Sequence, residues 1–161
     1  MRSVTFKSCL ALSATAGLAL GSPSATARTP LSAENGLPSC EAANVSLHDL
    51  AINARGEGVR SFYEGAALVM AIDQVEPAAA SAGLVILLFD PQSEMGDRNC
   101  FAITNFNGLD LDGATSSYSP ATGVTLRIPA TDYDGETGTS KPGRPLVLEI
   151  NAATGKVIAR R

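Results

Sequence analysis

Three Thr-Gly dipeptides in the C-terminal third of the chain constrain its fold more than any other feature. They lie inside the segments SPATG, DGETG and NAATG, at residues 122–123, 137–138 and 154–155. A polar residue, two further residues and then Thr-Gly is typical of a hairpin turn whose glycine adopts a left-handed conformation. Apolar or β-branched segments flank these turns, at 124–128, 145–150 and 156–159. The pattern predicts an antiparallel meander in which Leu146, Leu148 and Ile150 face one side, while Val147 and Glu149 face the other.

Four more segments of strand character precede the meander. They are VRSFY (59–63), AALVMAID (66–73), GLVILLFD (83–90) and CFAITNF (100–106). The uninterrupted apolar run of the third predicts a central strand that is covered on both faces. The spacing of strands and turns predicts an all-β, mainly antiparallel fold, either a small β-sandwich or a partly closed β-barrel.

The first 27 residues have the pattern of a secretory signal peptide. Arg2 and Lys7 precede an uncharged apolar run over 9–20, and Ala25-Thr26-Ala27 is a small-residue cleavage site. The apolar run is shorter than the roughly 20 residues that a transmembrane helix needs. We therefore expect export to the periplasm or the extracellular space, with no membrane insertion after cleavage. The short, alanine-rich leader is typical of a bacterial protein.

Residues 28–43 are rich in proline, glycine and polar side chains and predict an exposed N-terminal arm, followed by a single β-rich domain over 44–161. Ser46 and Asp49 have capping-box spacing and predict one short helix, which Gly56 would end. The same residues also show a partial strand alternation.

The charge balance bears on the partners. Cleavage would remove two of the 12 basic residues and none of the 16 acidic ones, leaving a net charge of −6. An acidic chain without a basic patch is poorly suited to nucleic acid.

Cys40 and Cys100 are the two cysteines that remain after cleavage. An isolated pair in an oxidising compartment predicts a disulfide. The alternative, a metal site containing cysteine, would need further ligands at short spacing, and the sequence has none beside either cysteine.

A repeated tetrapeptide is the strongest candidate site. Asp110-Leu-Asp112-Gly113 and Asp132-Tyr-Asp134-Gly135 flank the SPATG turn. A hairpin centred near residue 121 would place Asp110 opposite Asp132, and four carboxylates gathered in this way could hold calcium. Asp-Gly is also a common turn former, and neither copy continues as an EF-hand. We favour turns and keep calcium as the alternative. Separate turns would keep the carboxylates apart, whereas a metal or hydrolytic site would bring them together.

Catalytic motifs are sparse. The chain has one histidine, His48, and it contains no GxSxG, HExxH or GxxxxGK[ST] motif. We therefore expect a non-enzymatic binding or accessory protein, inhibitor-like or envelope-associated, whose partner is a protein or a component of the cell envelope. The alternative is a calcium-stabilised or carboxylate-dependent hydrolytic domain that uses Asp110, Asp112, Asp132 and Asp134.

Overall fold

The computed structural model of this protein describes residues 36–53, 55–74 and 80–161. Two single turns of 3-10 helix lie in the first half, at Leu47–Asp49 and Tyr63–Gly65. The strands are β1 (Val59–Phe62), β2 (Ala67–Asp73), β3 (Ala82–Phe89), β4 (Arg98–Phe106), β5 (Gly108–Leu109), β6 (Thr115–Ser119), β7 (Gly123–Ile128), β8 (Ala130–Asp134), β9 (Thr139–Pro142), β10 (Leu146–Asn151) and β11 (Lys156–Arg160).

These strands form three antiparallel sheets. The two larger sheets have the orders β1-β2-β3-β4 and β11-β10-β7-β6, and the smaller one has the order β5-β8-β9. Side chains from the two four-stranded sheets share one hydrophobic core, which identifies the fold as a small β-sandwich. The predicted all-β, mainly antiparallel class is confirmed. Of the two predicted architectures, a small β-sandwich or a partly closed barrel, the described strands are consistent with the sandwich, and they do not show a closed barrel.

The core follows from the side-chain alternation of each strand. Leu146, Leu148 and Ile150 of β10 are fully buried, whereas Val147 and Glu149 are only half-buried. In β3, which lies between β2 and β4 in its sheet, the residues from Gly83 to Ile86 are all buried. Because successive side chains point to opposite faces, both faces of this stretch are covered. Both predictions are confirmed.

The three predicted Thr-Gly turns each close a hairpin. Gly123, Gly138 and Gly155 have φ angles of 80°, 68° and 66°, in the left-handed region that glycine adopts without strain. They join β6 to β7, β8 to β9 and β10 to β11.

The hairpins do not form one continuous meander. The β8–β9 hairpin leaves the larger sheet and pairs with β5, so β10 returns to pair directly with β7. Pro129 lies between β7 and β8. It has no N–H to give to a ladder, and its carbonyl oxygen accepts the N–H of Asp110 at 3.0 Å. The chain therefore changes sheets at this proline.

The predicted N-terminal helix is a single turn. Both hydrogen bonds of the Ser46–Asp49 capping box form, but the turn ends at Asp49. Leu50 then forms a β-bridge with Ile72, and the N–H of Ala51 donates to the carbonyl of Ala71 at 2.9 Å. The prediction of a longer helix was wrong because pairing with β2 takes the backbone groups that a second turn would use.

The disulfide between Cys40 and Cys100 is present, with their Cα atoms 5.4 Å apart. It holds the end of the N-terminal arm against β4. The N–H of Ala102 donates to the carbonyl of Pro38, and the N–H of Cys40 donates to the carbonyl of Cys100. The signal-peptide prediction (1–27) and the first part of the arm prediction (28–35) lie outside the described residues. Within the described ranges, no helix has the length and apolar character required to cross a bilayer.

Candidate functional site

Asp110 and Asp112 contact different parts of the protein. The carboxylate of Asp110 accepts the N–H of Gly113 at 2.8 Å, which closes a local turn. The carboxylate of Asp112 accepts the N–H of Gly58 at 3.1 and 3.2 Å and lies 3.9 Å from the Arg60 guanidinium. The first acid therefore shapes its own loop, and the second attaches that loop to the start of β1.

Asp132 and Asp134 lie on β8, in the small sheet. Asp132 forms an ion pair with Arg161. Asp134 accepts N–H groups from Glu136 and Thr137 and lies 3.2 Å from the Lys141 ammonium. The hydrogen bond from Glu136 contributes most to lowering the pKa of Asp134 below its ordinary value of 3.8, followed by those from Lys141 and Thr137.

The sequence located the hairpin correctly but not the pairing of its acids. Thr115 pairs with Arg127 and Ser119 with Gly123, which is the register of a hairpin centred at residue 121. However, β6 begins only at Thr115, and Asp132 pairs with Lys141 in another sheet. The prediction that Asp110 lies opposite Asp132 was therefore wrong. Among the described residues, no group of three or more His, Cys, Asp or Glu side chains is arranged to hold a metal ion. The calcium alternative stays a prediction without geometric support.

His48 lies in the first 3-10 turn and is exposed. Its backbone N–H donates to the Ser46 hydroxyl at 3.2 Å, so this part of the residue takes part in the cap.

The edges of the sheets differ in how they are protected. Edge strands present unpaired N–H and C=O groups, which natural proteins block with charges, prolines or covering segments. The edge of β4 is covered by the segment that contains Pro38 and Cys40, and the start of β1 is bound by Asp112. The exposed strand β9 contains Lys141 and Pro142, while β11 begins with Lys156 and ends with Arg160.

Strand β6 has none of these protections from the residues that the structure describes. Its sequence is TSSYS, without a charge or a proline, and four of its five residues are exposed. It forms one edge of the sheet β11-β10-β7-β6, where its single neighbour among the described strands is β7. We call this strand the β6 edge. Among the described edges of more than two residues, it is the one best suited to pair with another strand.

An aromatic pair lies beside the β6 edge, on the side of the sheet that faces the core. Ser116 and Tyr118 pair with Leu126 and Val124, so they share that face. The Tyr118 side chain is nevertheless 66% exposed. Its ring meets the ring of Tyr63 in a T-shaped arrangement, with centroids 6.4 Å apart. Since β6 is at the margin of the sandwich, part of this aromatic surface is open to a ligand.

On the outer face of the same sheet, Arg127 is exposed and lies directly opposite Thr115 of β6. On its other side it pairs with Val147, and Val147 pairs with Arg160. Arg160 forms two hydrogen bonds with Glu149. Arg127 has no carboxylate within 4.0 Å among the described residues, so it is a free positive charge one strand away from the edge.

No protein-family model, no curated protein and no solved structure matches this chain. Function must therefore be inferred from the geometry of the described residues.

The β6 edge was not among the sites predicted from the sequence, because the acidic segments on its two sides have the stronger local pattern. A usable signal was present. The run TSSYS follows DLDG and ends at the first residue of SPATG, and it contains no charged residue. Its exposure depends on the order of the strands in the sheet, and the sequence does not specify that order.

Proposed function

We propose that this protein is an exported, non-enzymatic binding or accessory module that captures an extended segment of a protein partner along the β6 edge. The observation that carries the proposal is the contrast between this edge and the protected edges formed by β1, β4, β9 and β11. Strand addition to a sheet edge is a common mode of peptide recognition, in which main-chain hydrogen bonds supply much of the affinity.

Main-chain hydrogen bonds to the β6 edge would supply part of the binding free energy, and side-chain contacts would supply the rest. Each main-chain hydrogen bond to an added strand contributes about 0.5–1.5 kcal/mol net. Five residues offer only alternate N–H and C=O groups on the open side, so side-chain contacts must add to the affinity. Tyr118 is available for such a contact because it is exposed and its ring rests on Tyr63. Aromatic side chains of this kind often dominate binding energies at interfaces.

Export and the lack of catalysis are supported by the sequence. The N-terminal segment has the pattern of a signal peptide, and the Cys40–Cys100 disulfide is compatible with an oxidising compartment. The chain carries no recognisable nucleophile–base pair, zinc motif or nucleotide loop.

The test is a comparison of two lysine variants. In Ser116→Lys the new charge would lie on the core-facing side of β6, where it blocks pairing with an added strand. Because position 116 is exposed, the free protein tolerates the lysine. Ser61→Lys is the matched control, because Ser61 is an exposed serine on β1 of the other sheet.

Both variants and the unaltered oxidised protein would be used to capture proteins from the envelope and extracellular fractions of the source organism. We expect a protein that is bound by the unaltered protein and by Ser61→Lys, and whose recovery by Ser116→Lys is about tenfold lower. Hydrogen exchange should then show protection of the amides of 115–119 in the complex. Equal recovery by all three proteins, or no specific protein with any of them, would refute the proposal.

A further inference from the structure

We infer the chemistry of the captured segment: it alternates acidic and apolar side chains, with the acidic ones on the outer face beside Arg127 and the apolar ones against Tyr118. This inference rests on the proposed function. It follows from the two faces of the β6 edge, which differ in charge and in polarity.

The outer face requires an acid because Arg127 lies within reach of an added strand. Adjacent strands are about 4.8 Å apart, so a strand added to β6 would lie about 10 Å from β7. A guanidinium and a carboxylate on long side chains can bridge that separation. Only Thr115 lies between them in this row, and its side chain is small.

Arg127 and Arg160 lie in the same cross-strand row, and they differ in whether a carboxylate binds them. Arg160 is held by Glu149 through two hydrogen bonds, whereas Arg127 has no acidic partner among the described residues. An acidic side chain on the added strand would supply for Arg127 what Glu149 supplies for Arg160. A lysine or arginine at the same position would instead be repelled.

The core-facing side requires an apolar residue. Ser116 is small and Tyr118 presents an exposed ring, so a side chain on an added strand would meet an aromatic surface next to a small residue. The Tyr63 hydroxyl donates to the carbonyl of Ile150 and accepts the N–H of Val124, both at 2.9 Å. The ring of Tyr63, held in this way, packs against the Tyr118 ring in a T-shaped contact. An aliphatic or aromatic side chain can therefore pack on Tyr118 without displacing the ring. Because side chains alternate along a strand, the two preferences combine into a period of two.

Two end-capped, fluorescently labelled heptapeptides provide the probe, one alternating valine with glutamate and the other alternating valine with lysine. Their dissociation constants for the full oxidised protein would be measured by anisotropy at low salt. We expect the glutamate peptide to bind at least about tenfold more tightly, and to lose that advantage as salt increases.

Substitution of Arg127 gives the decisive comparison. Arg127→Glu should reverse the order of the two peptides, and Arg127→Gln should make their affinities similar. Arg55→Glu, the same change at an exposed arginine in the loop before β1, should leave the order unchanged. Melting curves would confirm that all three variants are folded.

The possible failures are distinguishable. Equal binding of the two peptides, tighter binding of the lysine peptide, or no binding of either overturns the inferred chemistry, while loss of a captured protein in Ser116→Lys would still support the proposed function. Concentration-dependent dimerisation that Ser116→Lys abolishes would identify a second copy of this chain as the occupant and would also overturn the inference.

Discussion

The hydroxyl of Tyr63 occupies the space that a side chain at position 123 would need. It donates to the carbonyl of Ile150 and accepts the N–H of Val124, so it bridges β7 and β10 just beyond the Thr122-Gly123 turn. A Cβ atom on Gly123 would clash most severely with the carbonyl oxygen of Ile150, and it would lie only 2.7 Å from this hydroxyl oxygen. Position 123 therefore needs glycine both for its φ of 80° and for the space that its missing side chain leaves.

Substitution of Gly123 should be much more harmful than substitution of another turn glycine. We expect Gly123→Ala to lower the free energy of unfolding by about 3 kcal/mol or more, since left-handed strain and overpacking add. Gly138→Ala is the control, because Gly138 has φ of 68° but its nearest neighbour, the Tyr133 hydroxyl, would lie 3.9 Å from a Cβ. Its cost should be only about 1–2 kcal/mol. Equal losses in urea unfolding would mean that the close contacts of position 123 with Ile150 and Tyr63 are unimportant.

Removal of the Tyr63 hydroxyl tests the same junction from the other side. Tyr63→Phe leaves the N–H of Val124 and the carbonyl of Ile150 without this partner, and we expect a loss of about 1–2 kcal/mol. Tyr133→Phe is the matched control at a half-exposed tyrosine, for which we expect a change within about 0.5 kcal/mol. Denaturant melts of both variants provide the measurement. A Tyr63→Phe protein as stable as the control would show that water replaces the hydroxyl without cost.

The sequence predicted the features that depend on nearby residues, and it did not predict the contacts between residues far apart in the chain. The left-handed glycines, the capping box and the doubly buried β3 depend on residues close together in the chain, and all were predicted. The bond from Tyr63 to Ile150 joins residues 87 positions apart, and the bond from Gly58 to Asp112 joins residues 54 positions apart. No local pattern encodes such contacts. The departure of the β8–β9 hairpin from the predicted meander was missed for the same reason, because it depends on which distant strand pairs with β7.

Acidification should remove a contribution that Asp134 makes to stability. Its pKa is lowered in the folded protein, so the stabilisation is complete above the ordinary value of 3.8 and is lost as the pH falls through the lower folded value. Asp134→Asn cannot ionise. We therefore expect the melting midpoints of the two proteins to differ near pH 6 and to converge once the pH has fallen below the lowered pKa of Asp134 in the folded protein.

Lys141→Gln separates the causes of this shift. It removes the ion pair but keeps the N–H donors of Glu136 and Thr137, and the bond from Glu136 is the largest cause. We expect this variant to retain most of the pH dependence that Asp134→Asn loses. A constant difference between Asp134→Asn and the unaltered protein from pH 6 to pH 2.5 would contradict the assignment.

Calcium should leave the thermal stability of this protein unchanged. Each acid of the two DxDG segments already has a partner within the protein. Gly113 binds Asp110, Gly58 binds Asp112, Arg161 binds Asp132 and Lys141 binds Asp134. A cation would have to break these contacts and bring the loop after β5 onto the acids of β8, so the same midpoint is expected in EDTA and in millimolar calcium. A clear rise with calcium that Asp132→Asn abolishes would show instead that the carboxylates converge around an ion. Such a rise would revive the calcium-stabilised or hydrolytic alternative, because the two segments would then form one site rather than separate turns.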